Sequence, residues 1–453
     1  MRNIKRMALG SLATAVMASS VPALAEDVPG EGFDVTHYAL ALSPDTTNAA
    51  LSGRETIAFR VTGAVLDRLV FTGNTLTIDS ARLDGKALVP VQRGKVLVFE
   101  LHKPLPHGRR GRLELAYHGR PARGFATSAE ALYTSYFACD WMVCAQDRFG
   151  DKAAFSLDVR VPKGMETLSV GRRIAKRAGP DGSEIHRWQA ARPYPAYLYG
   201  FAVGRFAEER SGKLLFLSDV ADPADLKRRF GESGDMVRFF SEKAGLPLPA
   251  GTYTQLLVRG DEAQEAATYA VLGVDAVPEE PRDPAEDWAI AHELAHQWWG
   301  NLVTCTALRE FWLNEGVTTF MTAAWKEHRH GRAAYEAELD LARQRLERAR
   351  EKGFDKPLAW GGTYPSLGAR RAVQYSKGAL FMDRLRDELG EAAFWAGLRR
   401  YTRRHAGGTV TSLDLQRAME AASGRDLHML FAEWVFGSDD AAEKGVTALR
   451  LGR

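Results

Sequence analysis

The chain has 453 residues, 45% of them hydrophobic and 26% charged, with a mean hydropathy of -0.27, a balance that excludes a collagenous, disordered or multi-span membrane protein. Its formal charge of +3 comes from Arg2, Lys5 and Arg6; the other 57 basic residues match the 57 acidic ones. No global field therefore draws the rest of the chain to nucleic acid or to a membrane surface, and no local basic patch takes its place.

At about 100 to 200 residues per domain, the length allows two or three domains, each with its own core. The first segment reads as an export signal: Arg2, Lys5 and Arg6 are cationic, residues 7–17 are mostly small and apolar, and Pro22-Ala23-Leu24-Ala25 ends in the small-x-small pattern a signal peptidase accepts. Cleavage after Ala25 and a periplasmic or secreted location are expected. No retained membrane anchor is expected, because the apolar run falls short of the ~20 residues of a bilayer span. From residue 38 to about 210, short alternating strands follow, among them Tyr38-Leu40-Leu42, Ile57-Phe59, Val96-Val98-Glu100, Leu113-Leu115-Tyr117 and Phe155-Leu157-Val159. Turn residues separate them, the pattern of an all-β domain of saddle or sandwich type over 26–210. Cys139 and Cys144 sit five apart and could close a small disulfide loop in an oxidising compartment, which leaves Cys305 as a buried apolar thiol.

At Pro223 the period changes. The spacing predicts helices over 225–244, 287–299, 315–329, 333–351, 376–389, 391–405 and 412–422, broken by Gly and Pro, with a short sheet around 214–217 and 254–258. The chain is thus expected to be α+β, with a mainly helical second domain over 211–437 and a tail over 438–453.

The informative stretch is DWAIAHELAHQWWGNLVTCTALREFWLNEGVTTF, from Asp287 to Phe320. His292 and His296, four apart on a helix, lie one turn from each other and can converge on one ion. Ile290, Leu294 and Trp298 form the neighbouring apolar stripe that would bury the helix. Glu293, beside the first histidine, can reach a water on the metal without ligating it. A third ligand must come from downstream, and Glu315 opens the next helix with 18 residues between it and His296. Neutral imidazoles and one carboxylate leave zinc a Lewis acid with a vacant position, where a water has its pKa lowered to about 7. Glu293 would take that water's proton during attack on a carbonyl and pass it to the leaving amine.

On these residues the chain resembles the aminopeptidase N-type gluzincins, the zinc metalloaminopeptidases that include alanyl aminopeptidases and the leukotriene hydrolase. HELAHQWWGNLVT followed by WLNEG is similar to that family's zinc signature. HYALAL, CAQDRFGDKAAFSLDVRVP and AYLYGFAVGRF resemble its N-terminal β domain, boundary segment and exit from that domain, so that the likeness covers residues 33 to about 437. It implies a saddle-like β domain on a thermolysin-like catalytic domain, one zinc ion per chain, and removal of N-terminal residues from peptides. Tyr375, in a YSKG segment 60 residues after Glu315, matches the family's tyrosine that donates to the oxyanion.

The family's GxMEN segment, whose glutamate binds the substrate's α-ammonium, is degenerate here. Within RGDEAQEAATYAVLG, aligning Glu262-Ala263-Gln264-Glu265-Ala266 selects Glu265, whereas Gly260-Asp261-Glu262 selects Glu262. A second amine-side Gln or Glu would fall near Ser135, where the sequence has none. After DLHMLFAEWVFG only 16 residues remain, so the expectation is a short form without the helical domain that covers the cleft in relatives, open to longer peptides. The leading reading is a zinc aminopeptidase acting on peptides with a free N-terminus. A thermolysin-like endopeptidase with an open cleft and a non-catalytic peptide-binding protein are the alternatives. No nucleic-acid partner is expected, nor a membrane after signal cleavage.

Overall fold

The structure, a computed structural model, describes residues 27–146, 148–277 and 287–437. The expected export signal over 1–25 and the tail over 438–453 lie outside the described residues. The first domain is built on a nine-stranded sheet in the order Arg172–Ala178, Glu184–Gln189, Lys152–Val161, Phe33–Asp45, Ala50–Val61, Arg110–Gly119, Thr77–Leu83 and Lys86–Leu88, with Tyr194–Pro195 paired beside Lys152–Val161. Neighbours are antiparallel except for Phe33–Asp45 and Lys152–Val161, which run parallel with His37 opposite Ala154. Period-two alternation is the cause: every second residue of Lys152–Val161 is buried, which sets Phe155, Leu157 and Val159 on the core face. A three-stranded sheet of Val65–Thr72, Val96–Pro106 and Pro90–Arg93 packs on it through the edge-to-face rings of Phe33 and Phe71, 5.4 Å apart, and within that smaller sheet Phe71 meets Phe99 at 6.0 Å. The Cys139–Cys144 disulfide is formed, and Cys305 is buried and free.

The second domain opens with a five-stranded sheet in the order Ala207–Ser211, Leu214–Ser218, Tyr253–Val258, Tyr269–Gly273 and Ala263–Ala266. Its three central strands are parallel and both outer ones antiparallel to their neighbours. Ala263–Ala266 is thus an edge strand, and it borders the helices. The main helices are Pro223–Phe230, Ser233–Ala244, Trp288–Ala295, Trp312–His330, Arg332–Arg350, Gly378–Leu389, Glu391–Arg404 and Ser412–Ser423. The single helix expected over 225–244 is two, because Gly231, poor at holding a helix, falls between them. The helix expected to start at 376 is preceded by a π-helix, Arg371–Lys377. Among the described residues no helix is long and apolar enough to cross a membrane.

Candidate metal centre

His292 lies on the helix Trp288–Ala295, and His296 opens the turn that follows it. Ile290, Leu294 and Trp298 are buried, so the helix cannot rotate its imidazoles outward without exposing that stripe. Trp288 stacks on His292 with ring centroids 4.4 Å apart. The Trp299 carbonyl accepts from His296 Nδ1 at 3.1 Å, which selects the tautomer whose Nε2 lone pair turns inward. Gly300 makes this possible: its φ is 128°, and a Cβ there would stand 2.9 Å from His296 Nδ1.

Glu315 comes from the helix Trp312–His330. Asn314 pins the start of that helix, accepting from the Cys305 N–H at 3.1 Å and donating to the Tyr197 hydroxyl at 3.1 Å. Gly316 lets the helix Gly378–Leu389 approach to backbone contact, since a Cβ on it would lie 2.7 Å from Gly378 Cα. One glycine follows Glu315 directly and the other follows Tyr375 by three residues, so this close approach brings the two functional side chains to one place. His292 Nε2 lies 3.2 Å from His296 Nε2 and 3.3 Å from Glu315 Oε2, and His296 Nε2 lies 3.4 Å from that oxygen. Tetrahedral bonds of about 2.0–2.1 Å separate their donor atoms by about 3.3 Å, so these residues fit a zinc ion.

Around this triangle stand four more groups. Glu293 has a buried Oε2 with no partner, and it forms a second convergent set with Glu265 and His296, their ligand-type atoms within 4.8 Å of one another. Glu265 arrives on the edge strand Ala263–Ala266, which Gln297 Nε2 and Asn301 Nδ2 tie to the histidine segment by both donating to the Ala266 carbonyl at 3.1 Å. Glu262 precedes that strand and accepts from Ser135 Oγ at 3.0 Å. A carboxylate therefore does reach Ser135, from a segment distant in sequence. Tyr375, in the π-helix Arg371–Lys377, lays its ring parallel to His292 with centroids 6.0 Å apart. That helix is held by Lys377 Nζ donating to Asp355 Oδ1 at 2.7 Å and by Gln374 Nε2 donating to the Leu308 carbonyl at 2.9 Å.

Burial governs the electrostatics. It pushes His292 down to about 4, Glu265 up to about 7, and Glu293 well above the usual carboxylate range. For His296 burial also opposes the charge, but Glu315, Glu265 and Glu293 outweigh it and hold the ring up to about 10. Burial opposes Glu315 as well, and there the two histidines keep the carboxylate ionised. Three carboxylates buried beside two imidazoles hold protons on Glu293 and His296 that a divalent cation would displace. Burial, with Glu315 and Glu265 adding to it, keeps the Tyr375 phenol protonated and able to donate.

The sequence reading singles out neither Trp288 nor Tyr136. Trp288 is legible in hindsight, four residues before His292 on one helix face. Tyr136 has no local signal: its φ of 52° is held by a hydrogen bond from its hydroxyl to the Ala263 carbonyl at 2.6 Å and one from its backbone N–H to the Gln264 side chain.

Residues 35–198 match the family model described as Peptidase M1 N-terminal domain, and residues 282–434 match the Peptidase family M1 domain. Probable aminopeptidase 1 of Saccharolobus solfataricus is 25% identical over 409 residues, 82% of this chain and 49% of its own length. The chain spans about half the length of the curated relatives it matches. A crystal structure of an M1 zinc metallopeptidase from Deinococcus radiodurans is 25% identical with a TM-score of 0.74, covering 90% of this chain and 95% of that one. A mutant M1 zinc metallopeptidase from the same organism, bound to Tyr-Ser-Ala substrate, is 24% identical with a TM-score of 0.74, covering 90% of this chain and 95% of its own.

Proposed function

The chain belongs to the peptidase M1 family, and from that premise we propose that it is a zinc-dependent aminopeptidase that removes N-terminal residues from peptides. The observation that carries this reading is the convergence of Glu265 on the histidine and glutamate set. A carboxylate in that place has a use when a substrate ammonium must sit beside the scissile bond, and costs stability otherwise.

His292, His296 and Glu315 would hold the ion, which when bound supplies the Lewis acidity that makes water nucleophilic near neutral pH. Glu293, with its free Oε2, accepts the proton of the attacking water and hands it to the leaving nitrogen. The Tyr375 hydroxyl donates to the substrate carbonyl oxygen as charge builds on it. Glu265 takes the α-ammonium, and Glu262 on Ser135 adds negative potential at the rim. Trp288 and Tyr375, both with rings parallel to His292, hold its orientation and keep water from it.

Export belongs to the same proposal. The cationic and apolar start with its Ala25 site supports a periplasmic or secreted enzyme, as does the Cys139–Cys144 disulfide, a bond that persists in oxidising compartments. The test is a panel of aminoacyl fluorogenic amides and peptides with free and acetylated N-termini. Cleavage of the free-amine forms alone supports the aminopeptidase; equal cleavage of the acetylated forms would make the protein an endopeptidase.

A further inference from the structure

Two adjacent arginines begin the π-helix region that carries Tyr375, and they are not equivalent. Arg370 is engaged: its Nε donates to Gln374 Oε1 at 2.9 Å and its guanidinium lies 4.7 Å over the Phe311 ring. Arg371 is exposed and, among the described residues, has no hydrogen bond or ion pair. It stands four residues before Tyr375 on the same π-helix, about one turn, so the two side chains share a face. Tyr375 turns that face to His292. The Arg371 charge is felt at His292 and, behind Glu293, Glu262 and Glu265, at the Tyr136 phenol, whereas that of Arg370 is felt at Glu265 and Tyr375.

Glu265 and Glu293 share a cluster with His296, while the unpaired Arg371 guanidinium, one turn from Tyr375, acts on His292. A peptide with its ammonium at Glu265 and its first carbonyl at the metal set runs on past His292 toward Arg371. A planar fork of donors with no partner suits a carboxylate.

We propose that Arg371 anchors a carboxylate on the leaving-group side of the scissile bond, the free carboxyl terminus of a dipeptide or tripeptide. This rests on the aminopeptidase reading above and, in place of the longer substrates expected from the sequence, assigns that enzyme a preference for short free-acid peptides. An acidic side chain on the second residue would offer the same chemistry, and the experiment separates the two sources.

The zinc-loaded enzyme is assayed on a dipeptide ending in alanine, on its C-terminal amide, and on the corresponding amide ending in glutamate, with Arg371→Gln and Arg371→Lys alongside. The wild type should prefer the free acid over its amide by about fivefold or more in kcat/KM, mostly through KM, the size of a solvent-accessible ion pair. Arg371→Gln should bring that ratio to about one, and Arg371→Lys should keep part of it. A comparable gain for the glutamate amide, lost in Arg371→Gln, would assign the anchor to a side-chain carboxylate as well. An acid-to-amide ratio that Arg371→Gln leaves unchanged overturns the proposal. Failure of the wild type to cleave any free-amine substrate overturns the aminopeptidase reading instead.

Discussion

Replacing Glu293 by Gln separates what this carboxylate does for the chemistry from what it costs the fold. Its side chain is buried, its Oε2 has no partner, and it shares a cluster 4.8 Å across with Glu265 and His296. Two carboxylate charges within 4.8 Å of each other repel by about 3 kcal/mol or more at an effective dielectric of about 20, and either acid relieves that by taking up a proton. The amide keeps the shape and removes both the charge and the basicity. Zinc content should therefore be unchanged, while turnover of an aminoacyl amide should fall by at least ~10², the low end for loss of a general base. The chelated variant should gain roughly 1–3 kcal/mol in stability, which raises the unfolding temperature by about 2–4 °C per kcal/mol for a domain of this size. Steady-state kinetics on loaded enzyme and calorimetry on metal-free enzyme at pH 8 measure the two effects. Turnover within tenfold of wild type, or a metal-free variant that unfolds at lower temperature, would refute the reasoning.

Glu265→Ala should raise KM for free-amine substrates several-fold more than Glu262→Ala, because Glu265 lies with His296 while Glu262 is held at the rim by Ser135; the reverse order in a KM comparison would move the ammonium site to Glu262. Gly316→Ala would set a Cβ 2.7 Å from Gly378 Cα, where neither backbone can yield, and should cost about 1–3 kcal/mol by overpacking. The same variant should lose activity as Glu315 and Tyr375 separate, read by denaturant melts beside kinetics. Burial pushes the Glu55 carboxyl up to about 8 from its ordinary value near 4.5, although the Val143 N–H hydrogen bond lowers it. The folded state thus keeps a proton that the unfolded chain has released, and stability is lost as pH rises from about 4.5 toward 8, by up to about 3 kcal/mol at pH 7. Glu55→Gln should flatten that slope between pH 5 and 8 in thermal melts, and an unchanged slope would exclude Glu55 as its source.

The metal set is legible in sequence because its geometry is local. Two histidines one helical turn apart, and a carboxylate at the start of the next helix, converge without any long-range register. The choice between Glu262 and Glu265 is not local, since it depends on which face an edge strand turns to each neighbour. Alternation resolves it: Glu262 and Gln264 both reach across to Ser135 and Tyr136, which leaves Glu265 on the opposite face toward His296. Tyr375 is found by its spacing from Glu315, but its setting is hidden, because the wider π turn before it breaks the 3.6-residue period that a helical reading follows. The disulfide is suggested by spacing and an oxidising compartment. Tyr136, whose left-handed backbone depends on strand residues far along the chain, leaves no trace in the sequence.

The most direct measurement is the zinc content of purified protein by atomic absorption, for wild type and for His296→Ala, before chelation and after reconstitution. The account predicts one zinc per wild-type chain, removed with activity by chelation and restored with it, and markedly less in the variant, whose Nε2 completes the triangle with His292 and Glu315. Wild-type protein that contains no stoichiometric metal and cannot be reconstituted, or a variant that binds zinc as fully as wild type, would contradict it.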